Sequence, residues 1–222
     1  EHTAAAEVLD AYGAAGFVSI ENLGGSGMFT FTAAGSLSGA VTGTGAADTL
    51  VGDNDGNVFV VDAADAGILV GKLSGFTGIE NLTGGTGSDS FTINVSLSGT
   101  ADGVGGNDTI TVAAGASIGG ISGGADDDTI TLGSGSTVTA GVTGSTGSDT
   151  LLLQTAGANV MLTDLDTSGA DASGTGKVTG VANGFTDIET LNATNGGTLT
   201  GLRTASTWGL DGTPTYTEDA AP

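Results

Sequence analysis

The sequence predicts an all-β fold, a right-handed parallel β-helix (β-solenoid) wound in coils of about twenty residues. Three observations carry this expectation. First, a glycine-rich turn, an aspartate, a small hydroxylated residue and a large apolar residue recur in four successive copies. These are Gly84–Thr92 (GGTGSDSFT), Gly103–Thr111 (GVGGNDTIT), Gly123–Thr131 (GGADDDTIT) and Gly144–Leu152 (GSTGSDTLL). Their aspartates, Asp89, Asp108, Asp128 and Asp149, are 19, 20 and 21 residues apart, the length of one solenoid turn. Second, Asp89, Asp108 and Asp128 are each followed by alternation of polar and apolar residues, as in Thr109-Ile110-Thr111, the mark of a strand with one buried face. Third, 43 Gly, 7 Phe and 1 Trp in 222 residues suit thin coils with regular side-chain ladders better than a thick globular core.

Along the chain, residues 1–15 read as an N-terminal cap or edge, with Glu1–Tyr12 the best candidate for a helix. Residues 16–205 read as one continuous solenoid. Within it, Ile20-Glu21-Asn22-Leu23 returns as Ile79-Glu80-Asn81-Leu82 and, altered, as Ile188-Glu189-Thr190-Leu191, each shortly after a Gly-Phe pair. Ser36-Leu37-Ser38-Gly39 and Ser96-Leu97-Ser98-Gly99 are 60 residues apart, as are Asp48 and Asp108, so the long repeat reads as three coils of twenty. Phe91, Ile110, Ile130 and Leu151 are expected on one inner ladder, with Ala116, Ile118, Ile121, Val138 and Val142 on the other sides of the coils. At the spacing of parallel strands this gives roughly eleven coils and a rod on the order of 50 Å long. Residues 206–222 read as a C-terminal edge or linker.

The charge is one-sided: 25 acidic residues against Lys72, Lys177 and Arg203. Three scattered cations do not neutralise a phosphate backbone, so no nucleic-acid partner is expected. The same balance disfavours an anionic membrane surface, and no apolar run has the length of a transmembrane helix. The acid excess favours divalent cations and solubility.

Asp89, Asp108, Asp128 and Asp149, together with Asp48 and Asp126, are the candidate metal ligands. Gly84–Thr92 fits Gly-Gly-x-Gly-x-Asp-x-U-x at every specified position, with U a large apolar residue. Glycines allow the tight turn and an aspartate supplies a hard oxygen, the chemistry of a Ca²⁺ site. The competing reading of each aspartate is a local cap hydrogen-bonded to nearby amides. Asp48 and Asn57 stand nine residues apart in a second, tandem pair of copies, Gly43–Val51 and Gly52–Val60. Asp53–Asn57 matches the start of an EF-hand loop, but position 64 is Ala where that loop needs Glu.

Taken together, GF-x-x-IENL, GG-x-G-x-D-x-F, SLSG and D-T-L make the chain resemble repeat regions of very large bacterial surface and secreted proteins, the RTX-like and filamentous-haemagglutinin-like adhesins. The resemblance covers residues 16 to 200. It implies a bacterial, extracellular or cell-surface location, and a structural or adhesive role in a stalk, fibre or matrix. It also implies Ca²⁺ as cofactor, and an RTX-type β-roll as the alternative winding. Neighbouring repeats of the same parent chain, identical subunits end to end, and surface glycans are the expected partners. The chain departs from the RTX pattern at Val104, Asp126 and Ser145, which hold glycine positions, at Asn57, which holds an aspartate position, and at Phe29, which replaces the aspartate of Gly24–Thr32.

A polysaccharide-active enzyme is the remaining class, because paired carboxylates hydrolyse glycosides. The carboxylates here follow the repeat period, which assigns their placement to the fold. The one histidine is His2, there is no Cys, and no nucleophile motif occurs, so no enzymatic activity is expected. A self-assembling extracellular filament is a further alternative, since open solenoid ends invite stacking.

Overall fold

Short Thr/Ile/Leu alternations bounded by glycine turns fold as strands, and no helix occurs among the described residues. The computed structural model describes residues 3–9, 22–32, 35–155, 158–165, 174–178, 180–193, 197–201 and 215–218. In chain order the strands begin with β1 (Thr3–Leu9), β2 (Leu23–Phe31), β3 (Ala40–Gly43), β4 (Thr49–Val51), β5 (Val58–Ala63), β6 (Ala66–Leu69) and β7 (Gly75–Thr77). Next come β8 (Asn81–Gly85), β9 (Ser90–Ile93), β10 (Ser96–Val104), β11 (Thr109–Val112), β12 (Ser117–Ala125), β13 (Thr129–Leu132), β14 (Thr137–Thr146) and β15 (Thr150–Leu153). The remaining strands are β16 (Ala158–Leu165), β17 (Gly174–Val178), β18 (Phe185–Ile188), β19 (Thr190–Ala193), β20 (Gly197–Gly201) and β21 (Thr215–Glu218).

These strands form one hydrogen-bonded, mostly parallel network. Two ladders organise it. The first runs β2–β4–β8–β10–β12–β14–β18 and stacks Phe29, Leu50, Leu82, Ala101, Ile121, Val142 and Phe185 in register. The second runs β5–β9–β11–β13–β15–β19 and stacks Phe59, Phe91, Ile110, Ile130, Leu151 and Leu191. Every one of these side chains is buried. Phe91, Ile110, Ile130 and Leu151 are thus consecutive rungs of one inner row, as the alternation predicts. Ala116, Ile118 and Val138 are buried as well, on the third side of the coils. Each buried Leu, Ile or Phe contributes roughly 1.5–3 kcal/mol, so the rows are the main cohesive term. Phe59 and Phe91 add a stacked pair with ring centroids 4.8 Å apart.

Among the described residues the even winding is broken twice, by hairpins. Between β4 and β8 the chain doubles back through the antiparallel β5–β6 and β6–β7 pairings. Between β15 and β19 it does so through β16–β17 and β17–β18. The second excursion returns to the stack as the first does: Gly67 faces Phe76, and Gly176 faces Phe185. Gly-Phe followed by Ile-Glu-x-Leu therefore marks the point where the chain rejoins the stack. In the first copy, the Gly16-Phe17 pair and Ile20-Glu21 lie outside the described residues.

The hairpins correct two expectations. Among the described residues the first ladder, counted from β1 beside β2, holds eight strands rather than eleven, spanning about 34 Å at ordinary parallel spacing. The 60-residue repeat covers two coils and one further corner, because 32 residues separate Leu50 from its neighbour Leu82. The termini differ too. Thr3–Leu9, expected as a helix, is a strand parallel to β2, because the open edge of β2 satisfies its backbone and overrides local propensity. Thr215–Glu218, within the expected linker, is a strand that pairs in parallel with β20, which itself pairs with β16.

Candidate functional site

Each of Asp48, Asp89, Asp108, Asp128 and Asp149 is the residue just before a strand, at a corner of the coil, and all five are at most 2 % exposed. The second corner holds a continuous chain of caps. Asp89 Oδ1 accepts the Asn57 backbone N–H (2.6 Å) and Nδ2–H (2.7 Å). Asp108 Oδ1 accepts the Asp89 N–H (2.7 Å), Asp128 Oδ1 the Asp108 N–H (2.8 Å), and Asp149 Oδ1 the Asp128 N–H (2.8 Å). Glu189 Oε2 closes the series on the Asp149 N–H. Each carboxyl therefore satisfies the buried corner amide of the coil before it. A shorter series stands at the first corner, where Asp48 Oδ1 accepts the Gly27 N–H and Glu80 Oε2 accepts the Asp48 N–H (2.7 Å). The nine-residue step from Asp48 to Asn57 carries the chain from one corner to the next.

Glu80 and Glu189 are the members that sequence reasoning missed. Their signal was present as the recurring Ile-Glu-x-Leu, but glutamate does not match an aspartate motif. Asp126 differs from the rest: it is exposed, and its Oδ2 accepts the Gly106 N–H (3.2 Å) on the previous coil. Neighbouring Asp127 does the same for the Ser148 N–H (2.9 Å) on the next.

The glycine five positions before each aspartate is fixed by this arrangement. A Cβ on Gly103 would lie 2.0 Å from Asp108 Oδ2 and 2.2 Å from the Gly123 carbonyl oxygen, inside any tolerable contact. Gly84, Gly123 and Gly144 meet the same obstacles, a carboxyl oxygen from their own turn and a carbonyl from the next coil. The departures Val104, Asp126 and Ser145 occupy left-handed backbone, with φ of 77°, 75° and 79°. They sit where the turn asks for glycine, and Val104, β-branched, is the most strained.

Burial drives the electrostatics. Desolvation pushes the carboxyls of Asp108 and Asp128 up to about 7 and that of Asp149 up to about 6. Backbone hydrogen bonds oppose the rise, and further carboxylates reinforce it: Asp89, Asp102 and Asp126 act on Asp108. Asp89 is raised as well, again by burial, against the two donors of Asn57 and the Gly85 N–H. The Oδ2 atoms of Asp108, Asp128 and Asp149 are buried and have no hydrogen-bond partner.

Calcium takes six to eight oxygen ligands. In the ladder each Oδ1 is taken by a backbone N–H, and Oδ2 of Asp48 and Asp89 by another, which leaves one carboxyl oxygen and one nearby carbonyl at each of Asp108, Asp128 and Asp149. Among the described residues no three acidic or imidazole side chains converge. This donor set does not fit a calcium ion at the buried aspartates. The EF-hand-like stretch is likewise an internal turn: Asp53 Oδ1 accepts the Asp55 N–H (3.1 Å), Asn57 Nδ2 donates to the Asp53 and Asp55 carbonyls (both 2.9 Å), and Asp53 pairs with Lys72. Beside it lies an open groove of about 510 Å³ whose lining includes Thr30, Val51, Asp55, Thr83 and Val104.

No family model matches the chain, and neither the curated proteins nor the solved structures contain a match to it.

Proposed function

We propose that this chain is a structural segment of a larger secreted or cell-surface bacterial repeat protein, a right-handed parallel β-helix serving in a stalk, fibre or matrix. One observation carries the reading. The carboxyls that repeat through the sequence are spent on backbone amides of adjacent coils, so the motif's chemistry is directed at the stack itself. The β-helix is preferred to an RTX-type β-roll because capping aspartates recur once per coil along one corner from Asp89 to Asp149. The resemblance to RTX-like and filamentous-haemagglutinin-like repeats supports the adhesive, extracellular setting, and the acidic surface keeps such a rod soluble. Calcium is not required by this reading.

Light scattering over a concentration series, with small-angle X-ray scattering for shape, tests it. A constant monomer mass and an elongated envelope are expected. A mass that climbs with concentration would favour a filament subunit instead. Release of reducing ends from acidic or neutral polysaccharides would overturn the structural reading in favour of an enzyme.

A further inference from the structure

We propose that Asp108, Asp128 and Asp149 are held as neutral carboxylic acids, each Oδ2–H directed at the backbone carbonyl of the next coil, so that protons fasten this stretch of the ladder. The geometry sets up the need. Asp108 Oδ2 and the Gly123 carbonyl oxygen crowd the same side of Gly103, at 2.0 and 2.2 Å from where its Cβ would stand. Asp128 Oδ2 and the Gly144 carbonyl do so over Gly123 (2.3 and 2.8 Å), and Asp149 Oδ2 and the Asp187 carbonyl over Gly144 (2.3 and 2.0 Å). Two acceptor oxygens side by side, buried and without a donor, are unfavourable unless one of them carries a hydrogen.

Other rungs show what the missing donor looks like. At Asp89 the Gly85 N–H reaches Oδ2 (2.8 Å), and at Asp48 the Gly45 N–H does (2.7 Å). At the three orphaned rungs the residue corresponding to Gly85 is Val104, Gly124 or Ser145, and each is left-handed, with φ of 77°, 119° and 79°. Loss of the amide donor thus coincides with a changed turn. The lowest rung supplies the native precedent for a donor on the side chain. Asn57 holds an aspartate position, and its Nδ2 donates to two carbonyl oxygens of its own turn, those of Asp53 and Asp55, at 2.9 Å. An aspartic acid matches that amide only when protonated.

Among the described residues the charged groups acting most strongly on the three acids are acidic. They are Asp89, Asp102 and Asp126 on Asp108; Asp108, Asp149 and Asp126 on Asp128; and Glu189, Asp127 and Asp187 on Asp149. The folded-state pKa values lie above the unfolded value of 3.8, so the native state binds more protons between the two. The stabilisation is complete below about pH 4 and is lost as pH rises through about 6 to 7.

Two measurements test this. On the wild-type chain, side-chain carboxyl carbons followed by NMR against pH should titrate near 7 for Asp108 and Asp128 and near 6 for Asp149. Midpoints in the ordinary range near 4 would overturn the proposal. Denaturant unfolding at pH 5 and pH 8, in EDTA, should show a lower wild-type midpoint at pH 8. The triple variant D108N/D128N/D149N should lose much less over that range and exceed wild type at pH 8, while Asp62→Asn, on an exposed position of β5, follows wild type. An equal loss in the triple variant would overturn the proposal. So would a calcium-induced rise of the wild-type midpoint at pH 8 that disappears in the triple variant, which would give the orphaned oxygens to the ion. Should the triple variant fail to fold, the wild-type titration decides.

Discussion

Gly103→Ala tests the idea that the aspartate ladder is a packing device in which the glycine and the acid form one unit. The new Cβ would stand 2.0 Å from Asp108 Oδ2 and 2.2 Å from the Gly123 carbonyl oxygen. The carbonyl belongs to the ladder backbone and cannot move alone, so the carboxyl must leave or the coils must part. Moving the carboxyl strips the buried Asp89 N–H of its acceptor, a loss of about 1–3 kcal/mol, and the residual overpacking costs about 1–3 kcal/mol more. The expected loss is about 2–6 kcal/mol. Gly115→Ala is the matched control: its φ is 74°, but nothing lies within 4 Å of the added carbon. Only the left-handed backbone is penalised there, by about 1–2 kcal/mol. Urea unfolding followed by circular dichroism should move the Gly103→Ala midpoint down by more than about 1 M and the Gly115→Ala midpoint by a fraction of that. Equal losses, or a loss under about 1 kcal/mol at Gly103, would refute the reasoning.

Other substitutions follow from the same coordinates. Val104→Gly relieves a β-branched residue at φ 77° and should stabilise by about 0.5–1 kcal/mol after the added unfolded-state entropy of glycine, read as a higher urea midpoint. Phe91→Ala removes a fully buried ring stacked on Phe59 and should cost about 3–5 kcal/mol, with an unchanged strand signature by circular dichroism in the surviving folded protein.

The inner row from Phe91 to Leu151 was legible in the sequence because two signals agreed there. Thr-Ile-Thr alternation assigns a buried face, and the aspartate spacing assigns the register. The hairpins were not legible. Val58–Val61 is a continuous apolar run (Val-Phe-Val-Val), and such a run does not say whether the next segment advances a coil or turns back. What turns it back is Asp65, at φ 49°, whose carboxyl accepts the Ser98 N–H (2.6 Å) and faces its hydroxyl (3.0 Å) on the following coil. That contact is 33 residues away in sequence, beyond any periodic template. The direction of the aspartates was equally hidden. A cap and a calcium ligand use the same residue after the same turn, and only the five-residue spacing from glycine to aspartate hints that the carboxyl folds inward.

The two glutamate rungs test whether the ladder depends on charge or on reach. In the even coils one strand amide donates to each capping residue's carbonyl, as Thr109 N–H does to Asp89 (2.9 Å). At the rungs that follow a hairpin, two amides converge on one carbonyl. Glu80 and Asn81 both donate to the Asp48 carbonyl (3.2 and 2.9 Å), and Glu189 and Thr190 both donate to that of Asp149 (3.1 and 2.8 Å). The chain reaches these rungs directly from β7 and β18, without a nine-residue glycine turn before them. The longer side chain is thus what brings a carboxyl oxygen to the amide one coil back. Glu80→Asp keeps the charge and shortens the arm, so the buried Asp48 N–H should lose its acceptor at a cost of about 1–3 kcal/mol. Glu80→Gln keeps the arm and removes the charge, and should cost about 1 kcal/mol or less. Denaturation midpoints of the two variants separate the cases: if Asp serves as well as Glu, or if Gln fails as badly as Asp, reach is not what selects glutamate at the return from a hairpin.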